Sequence, residues 1–206
     1  MFSLNKAFAV IVCVCAFGHG MAQSGVSRTD QLKKVKTVEQ AQRYLEKTGQ
    51  KSGYIGRFNS VVDSVEFKEI SRKFELGEVF YAKTSIYKLL EKESEQVYRC
   101  QYIYFDGNVH SKEEIDSLRN QIIRRYRAQE NFTELVSQYT MKNPDKSGDS
   151  GWFYADKMAP EFSFAVSDHL KGQIFTCDVE EKKAYYVILK THLDKQSESW
   201  IYIYLK

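Results

Sequence analysis

The stretch SGDSGWF, Ser147 to Phe153, decides how the rest of this chain is read. Two glycines bracket Asp149 and Ser150, and a Trp-Phe pair follows, so a tight backbone turn feeds an apolar strand. Downstream comes MAPEF, Met158 to Phe162, where Pro160 suits the first turn of a helix running to about Asp168. LKGQIF, Leu170 to Phe175, then leads into QIFTCDV and AYYVILK, which read as a hairpin. Upstream, Asn131 with Glu134 caps a helix that carries Phe132, Leu135, Val136 and Tyr139. Ser111 with Glu114 forms a capping box for a longer helix striped by Ile115, Leu118, Ile122 and Tyr126. Before it, EQVYRCQYIYF, Glu95 to Phe105, is the strongest strand signal in the chain, and DGN ends it. The order is strand, helix, helix, loop, helix, strand, strand. That predicts an α+β module with helices around a small, mostly antiparallel sheet.

The N-terminal half reads less regularly. Met1 to Lys6 is a short basic start, Ala7 to Phe17 is apolar, and Gly20-Met21-Ala22 supplies small residues at a cleavage site, so residues 1–22 read as a signal peptide. The apolar run is too short to span a bilayer, and Cys13 and Cys15 both follow Val, unlike a lipoprotein box. SRTDQLKK is polar, and residues 23–36 are expected to be flexible. A helix should start at Thr37, boxed by Gln40, with Val38, Ala41 and Leu45 on one face and Gly49 at its end. Lys51 to Phe58 reads as a Gly-bounded loop and Glu66 to Phe74 as a short helix. EVFYAKTSIYKLLEK reads as two strands joined near Thr84. SWIYIYLK closes the chain as a last strand.

Composition removes several function classes. The formal net charge is +3, which is no nucleic-acid footprint, and the locally basic IIRRYR (Ile122 to Arg127) lies on a predicted amphipathic helix. No second apolar run approaches membrane length, so no membrane insertion of the mature chain is expected. Signal removal would leave two cysteines, Cys100 and Cys177, and export would permit one disulfide between them; buried thiols in two strands read equally well. No Cys/His spacing points to a metal, and no cofactor is expected.

From Tyr98 to Lys190 the chain resembles the parvulin family of peptidyl-prolyl cis-trans isomerases. FTELVSQYT, SGDSGWF, MAPEF with Ala165, and LKGQIF stand in the family's order and spacing. The resemblance implies a proline pocket walled by Met158 and Phe162, with Ser150 where the family has a leucine. Family members carry a His in the first strand and another in the last; Tyr102 and Tyr186 occupy those positions and become the candidate catalytic residues. The acid or thiol that follows the helix motif falls near Met141 and Lys142, neither of which supplies one. Each of these residues also has a plain structural reading, as strand tyrosine or core apolar.

Sliding Gly148–Phe175 back onto Gly53–Phe80 without a gap aligns Gly148, Gly151, Phe153, Glu161, Phe162, Gly172 and Phe175 with identical residues. This reads as an internal repeat: a degenerate parvulin-like module over 37–94, a second module over 95–191, and a linker with a C-terminal strand over 192–206. The first module lacks the strand that opens the second. Trp200 to Lys206 repeats the YIY of Tyr102 to Tyr104, so the C-terminal strand is expected to return and complete the first module's sheet. The resemblance implies an exported, periplasmic isomerase or foldase acting on proline-containing segments of envelope or secreted proteins. The alternatives are a non-catalytic peptide-binding chaperone, or a structural subunit of an envelope assembly or secretion machine.

Overall fold

A computed structural model describes residues 27–49, 53–82, 84–141 and 147–206. The expected signal peptide, residues 1–22, lies outside the described residues, as do Lys51, Lys142 and most of the polar loop before Ser147. The chain divides into two compact units. The first comprises residues up to Ser94 plus Glu198–Lys206, and the second is Glu95–Ser197.

In the first unit the sheet order is β1–β8–β3–β2, built from β1 (Tyr54–Asn59), β2 (Val79–Ala82), β3 (Ser85–Tyr98) and β8 (Lys195–Leu205). The C-terminal strand is therefore interior, antiparallel to β1 with Gly56 opposite Tyr202 and Phe58 opposite Trp200. Alternation along β8 divides its side chains. Ile203 and Leu205 pack with Leu32 of α1 (Arg28–Lys34), with Val35 just past its end and with Ala41 of α2 (Val38–Thr48), while Trp200 and Tyr202 pack with Phe58, Ile70 and Phe80. Ile70 belongs to α3 (Ser64–Ser71).

Two expectations need correction here, and the aligned glycines add a contrast. The flexible N-terminus contains a helix, α1, because Leu32 is fully buried and the buried Lys88 donates to the Leu32 and Lys33 carbonyls, supplying a cation to the helix C-terminus. Burial depresses the Lys88 pKa. Tyr54 to Phe58 is strand β1, not loop. The glycines of the aligned repeat also differ. Gly77 and Gly172 are both left-handed, and each donates its N–H across a hairpin, to Leu89 and Lys190. Gly148 and Gly151 are left-handed too, but Gly53 and Gly56 are not. Gly56 serves instead to admit the Tyr202 ring, which a Cβ there would meet at 2.6 Å.

In the second unit β4 (Gln101–Asp106), β7 (Ala184–Leu189) and β6 (Ile174–Val179) form an antiparallel sheet in the order β4–β7–β6. The predicted strand Glu95–Phe105 is two segments: β3 ends at Tyr98, where Val97 and Tyr98 pair with β5 (Phe153–Tyr154), and β4 begins at Gln101. One sheet face packs Ile103, Phe105 and Val187 against α4 (Lys112–Arg127) and α5 (Phe132–Tyr139). Local chemistry sets these helices. Both arms of the Ser111–Glu114 capping box are present, and the Asn131 side chain accepts from the Thr133 amide while its backbone carbonyl accepts from the Glu134 amide. The buried Arg119 of α4 pairs with Asp116 and with Asp178 of β6, pinning helix to sheet. The other face packs Phe175, Cys177 and Ile188 against Phe162 and Val166 of α6 (Pro160–Asp168), with Pro160 at its first turn. Cys100 and Cys177 are free thiols buried in this second core, not a disulfide.

Candidate functional site

The site begins with the loop that runs from Ser147 to Phe153. Gly148 accepts from the Tyr102 amide at 2.9 Å, and the Ser150 amide donates to the Cys100 carbonyl at 2.9 Å. Asp149 bridges to Gln101 through its backbone, while its carboxylate takes the Arg99 guanidinium and the Gly151 amide. Arg99 holds that carboxyl below its ordinary range. Gly148 is required sterically: a Cβ would lie 2.6 Å from the Tyr102 carbonyl oxygen and 2.9 Å from both Val136 methyls. The GDSG turn thus sews the edge of β4 and fixes Tyr102.

After β5, a 3-10 turn over Ala155–Lys157 delivers Met158 and Ala159 to the start of α6, and Ser163 donates back to the Ala155 carbonyl at 2.6 Å. α6 then sets Phe162 over the sheet. Lys190, buried, donates to the Val166 carbonyl near the far end of α6.

Between α6 and the sheet lies a cavity of about 250 Å³ lined by Tyr102, Tyr104, Met158, Ala159, Phe162 and Tyr186. Tyr102 stands edge-on to Phe162 and Tyr186 at 5.8 and 5.9 Å, and Phe162 edge-on to Tyr186 at 5.1 Å. Four of the five residues expected from the sequence meet here. Ser150 does not line the cavity: its hydroxyl accepts from the Cys100 amide and donates to the Gly151 carbonyl. Tyr104 was missed. It shares a face with Tyr102 by strand alternation and lies directly opposite Tyr186, at 5.6 Å between rings. The YIY spelling carried the first fact, and only the register of β4 against β7 carried the second.

The electrostatics of the cavity are those of neutral groups. No carboxylate, amine or imidazole is among its lining residues. Burial, then the neighbouring Tyr104, Tyr102 and Cys177, pushes the Tyr186 phenol up to about 12. Burial likewise pushes Cys177 up to about 11 and Cys100 up to about 12, so neither is a thiolate at neutral pH. The arrangement can enclose an apolar ring and offer phenolic hydroxyls. Among the described residues, no cluster of three or more His, Cys, Asp or Glu could hold a metal, and no helix is long and apolar enough to cross a membrane.

A family model described as the PPIC-type PPIase domain matches residues 84–192. The solved structure of PrsA from Bacillus subtilis matches at 21% identity and a TM-score of 0.39, over 47% of this chain and 35% of that one. The peptidylprolyl isomerase PrsA from Bacillus anthracis matches at 23% identity and a TM-score of 0.39, over 47% of this chain and 42% of that one. A Campylobacter jejuni structure, from a study describing PEB4 and Cj1289 as two structurally related SurA-like chaperones, matches at 13% identity and a TM-score of 0.39. That match covers 82% of this chain and 52% of the other. The chain thus spans only about a third to a half of each of these proteins. No curated protein matches it.

Proposed function

The chain belongs to the PPIC-type peptidyl-prolyl isomerase family, and on that premise we propose that it is an exported parvulin-like isomerase or foldase. It acts on proline-containing segments of envelope or secreted proteins. The observation that carries the proposal is the cavity where Met158 and Phe162 meet Tyr102 and Tyr186.

Rotation about an X–Pro bond makes and breaks no covalent bond; its barrier of about 20 kcal/mol comes from amide resonance. The twisted amide has less charge separation than the planar one. A dry, apolar cavity therefore favours it, provided the ring is held in place. Met158, Ala159 and Phe162 supply the apolar wall. Tyr102 and Tyr186 stand where the family has histidines and supply neutral hydroxyl donors. No ionised acid or base is needed for this chemistry, and the lining residues provide none.

A second reading, a peptide-binding chaperone without turnover, draws support from the two tyrosines, Tyr102 and Tyr186, that stand where the family has histidines. A protease-coupled assay on a proline peptide separates the two. Under the catalytic reading the wild type accelerates isomerisation, Tyr102→Phe lowers the rate in folded protein, and Phe162→Ala abolishes it. A wild type with no acceleration leaves the chaperone reading. Activity surviving both substitutions places the chemistry elsewhere. Export is tested by the mass of the protein recovered from the cell envelope: the proposed cleavage gives a chain beginning at Gln23.

A further inference from the structure

The first unit carries a row of aromatic rings that the candidate site does not use. Tyr54 of β1, Tyr204 of β8, Tyr87 of β3 and Phe80 of β2 stand side by side across the whole sheet. Their centroids are separated by 4.7, 5.1 and 5.1 Å in that order, and Phe74 extends the row, stacked on Phe80 at 4.1 Å. Each strand contributes one ring.

The same face holds Gly56, Phe58, Ser85, Leu89, Trp200 and Tyr202. Charged side chains reach it at Trp200, where Lys92 lies over the ring at 4.2 Å and Glu198 accepts from the indole N–H at 2.6 Å, four residues along β8 from Tyr204. Lys88, a strand neighbour of Tyr87, is turned to the opposite face, where it meets the α1 carbonyls. α3 covers one end of the ring face, setting Phe67 edge-on to Trp200 at 5.8 Å. Towards the other end Tyr54 is 48% exposed, and Tyr87 and Tyr204 are half-buried. Gly56 keeps the surface low beside Tyr54, because the Tyr202 ring lies across it.

We propose that this row is a second polypeptide-binding surface, and that its occupant is an uncharged, proline-bearing segment of another chain in the polyproline II conformation. Two observations select that occupant. Around Tyr54 and Tyr204 the face offers rings and hydroxyls, with the Lys92 and Glu198 charges held against Trp200, which disfavours burying a charged segment on the row. The period also matches: Tyr54 and Tyr87 sit two strand spacings apart, about 9.6 Å, and a polyproline II helix repeats every three residues, about 9.3 Å. Prolines one turn apart can therefore rest on rings of alternate strands. Such a segment arrives already extended and loses little conformational freedom on binding. The surface lies in the unit that does not contain the cavity, so it functions whether or not the cavity turns over substrate.

The experiment titrates full-length protein, with ¹³C-labelled tyrosine, with a capped peptide of four Ala-Pro-Pro repeats and with its Ala-Gly-Gly counterpart. Saturable shifts are expected at Tyr54, Tyr87 and Tyr204 with the proline peptide alone. Tyr54→Ala should weaken binding about threefold to tenfold. Tyr54→Phe, which keeps the ring, should bind as the parent does, and Met158→Ala in the cavity should leave these shifts unchanged. Shifts confined to Tyr102, Tyr104 and Tyr186 would overturn the proposal. So would equal binding of the glycine peptide, or undiminished affinity in folded Tyr54→Ala. Shifts at the row that grow with protein concentration without peptide would also overturn it, because they assign the face to a second copy. A protein that binds at the row but shows no isomerase activity keeps this proposal and loses the catalytic one.

Discussion

Replacing Gly148 by alanine should damage the second unit far more than replacing Gly151, although both glycines belong to one turn and both are left-handed, at φ 66° and 62°. An alanine at either position pays the left-handed penalty of roughly 1–2 kcal/mol. At Gly151 nothing lies within 4 Å of the added Cβ, so the penalty ends there. At Gly148 the Cβ meets the Tyr102 carbonyl oxygen at 2.6 Å and both methyls of the fully buried Val136 at 2.9 Å. A backbone oxygen and a core valine cannot swing aside, so overpacking adds about 1–3 kcal/mol. The expected totals are roughly 2–5 kcal/mol for Gly148→Ala and about 1–2 kcal/mol for Gly151→Ala. Native-state hydrogen exchange at Tyr102, Ile103 and Tyr104 is the appropriate assay, because it reads the second unit by itself and a two-unit chain need not unfold in one step. The Tyr102 amide, which donates to Gly148, should lose most protection. Losses equal to within about 0.5 kcal/mol would refute the claim that the turn is sewn to β4 by close contact.

Three further outcomes are expected. A chain ending at Ser197 loses the interior strand of the first sheet, so amides of Val79 to Leu90 should exchange freely while the β6–β7 hairpin stays protected; full protection of Val79 to Leu90 would count against the interior position of β8. In native protein at pH 8, Cys100 and Cys177 should resist a thiol reagent and both react once unfolded without reductant, since burial raises both pKa values; rapid labelling of the native state would contradict that burial. Asp149 has a folded pKa lowered chiefly by Arg99, so its contribution is present above the unfolded carboxyl range near pH 4 and fades as pH falls through the folded value. The stability gap between wild type and Asp149→Asn should therefore narrow from pH 6 to pH 2, and a constant gap would remove the ion pair as its cause.

The parts legible in the sequence are those whose physics is local. Ser111 and Glu114 satisfy each other's backbone neighbours within one helical turn, Pro160 needs only its own ring to start α6, and the alternation of QIFTCDV and AYYVILK already separates two faces of a hairpin. The placing of Met158, Phe162, Tyr102 and Tyr186 around one cavity followed from the order of the family motifs. What the tertiary structure alone decided depends on groups far apart in the chain. α1 is a helix because Lys88, across the unit, takes its last carbonyls. The strand expected over Glu95–Phe105 breaks at Arg99 and Cys100 because Ser150 and Asp149 capture their polar groups. The same capture removes Ser150 from the cavity. Tyr104 joins it through its register with Tyr186, a relation between strands nearly eighty residues apart that no local pattern encodes. The row from Tyr54 to Phe80 exists only because β8 inserts between β1 and β3, bringing to one face rings that the sequence scatters over both ends of the chain.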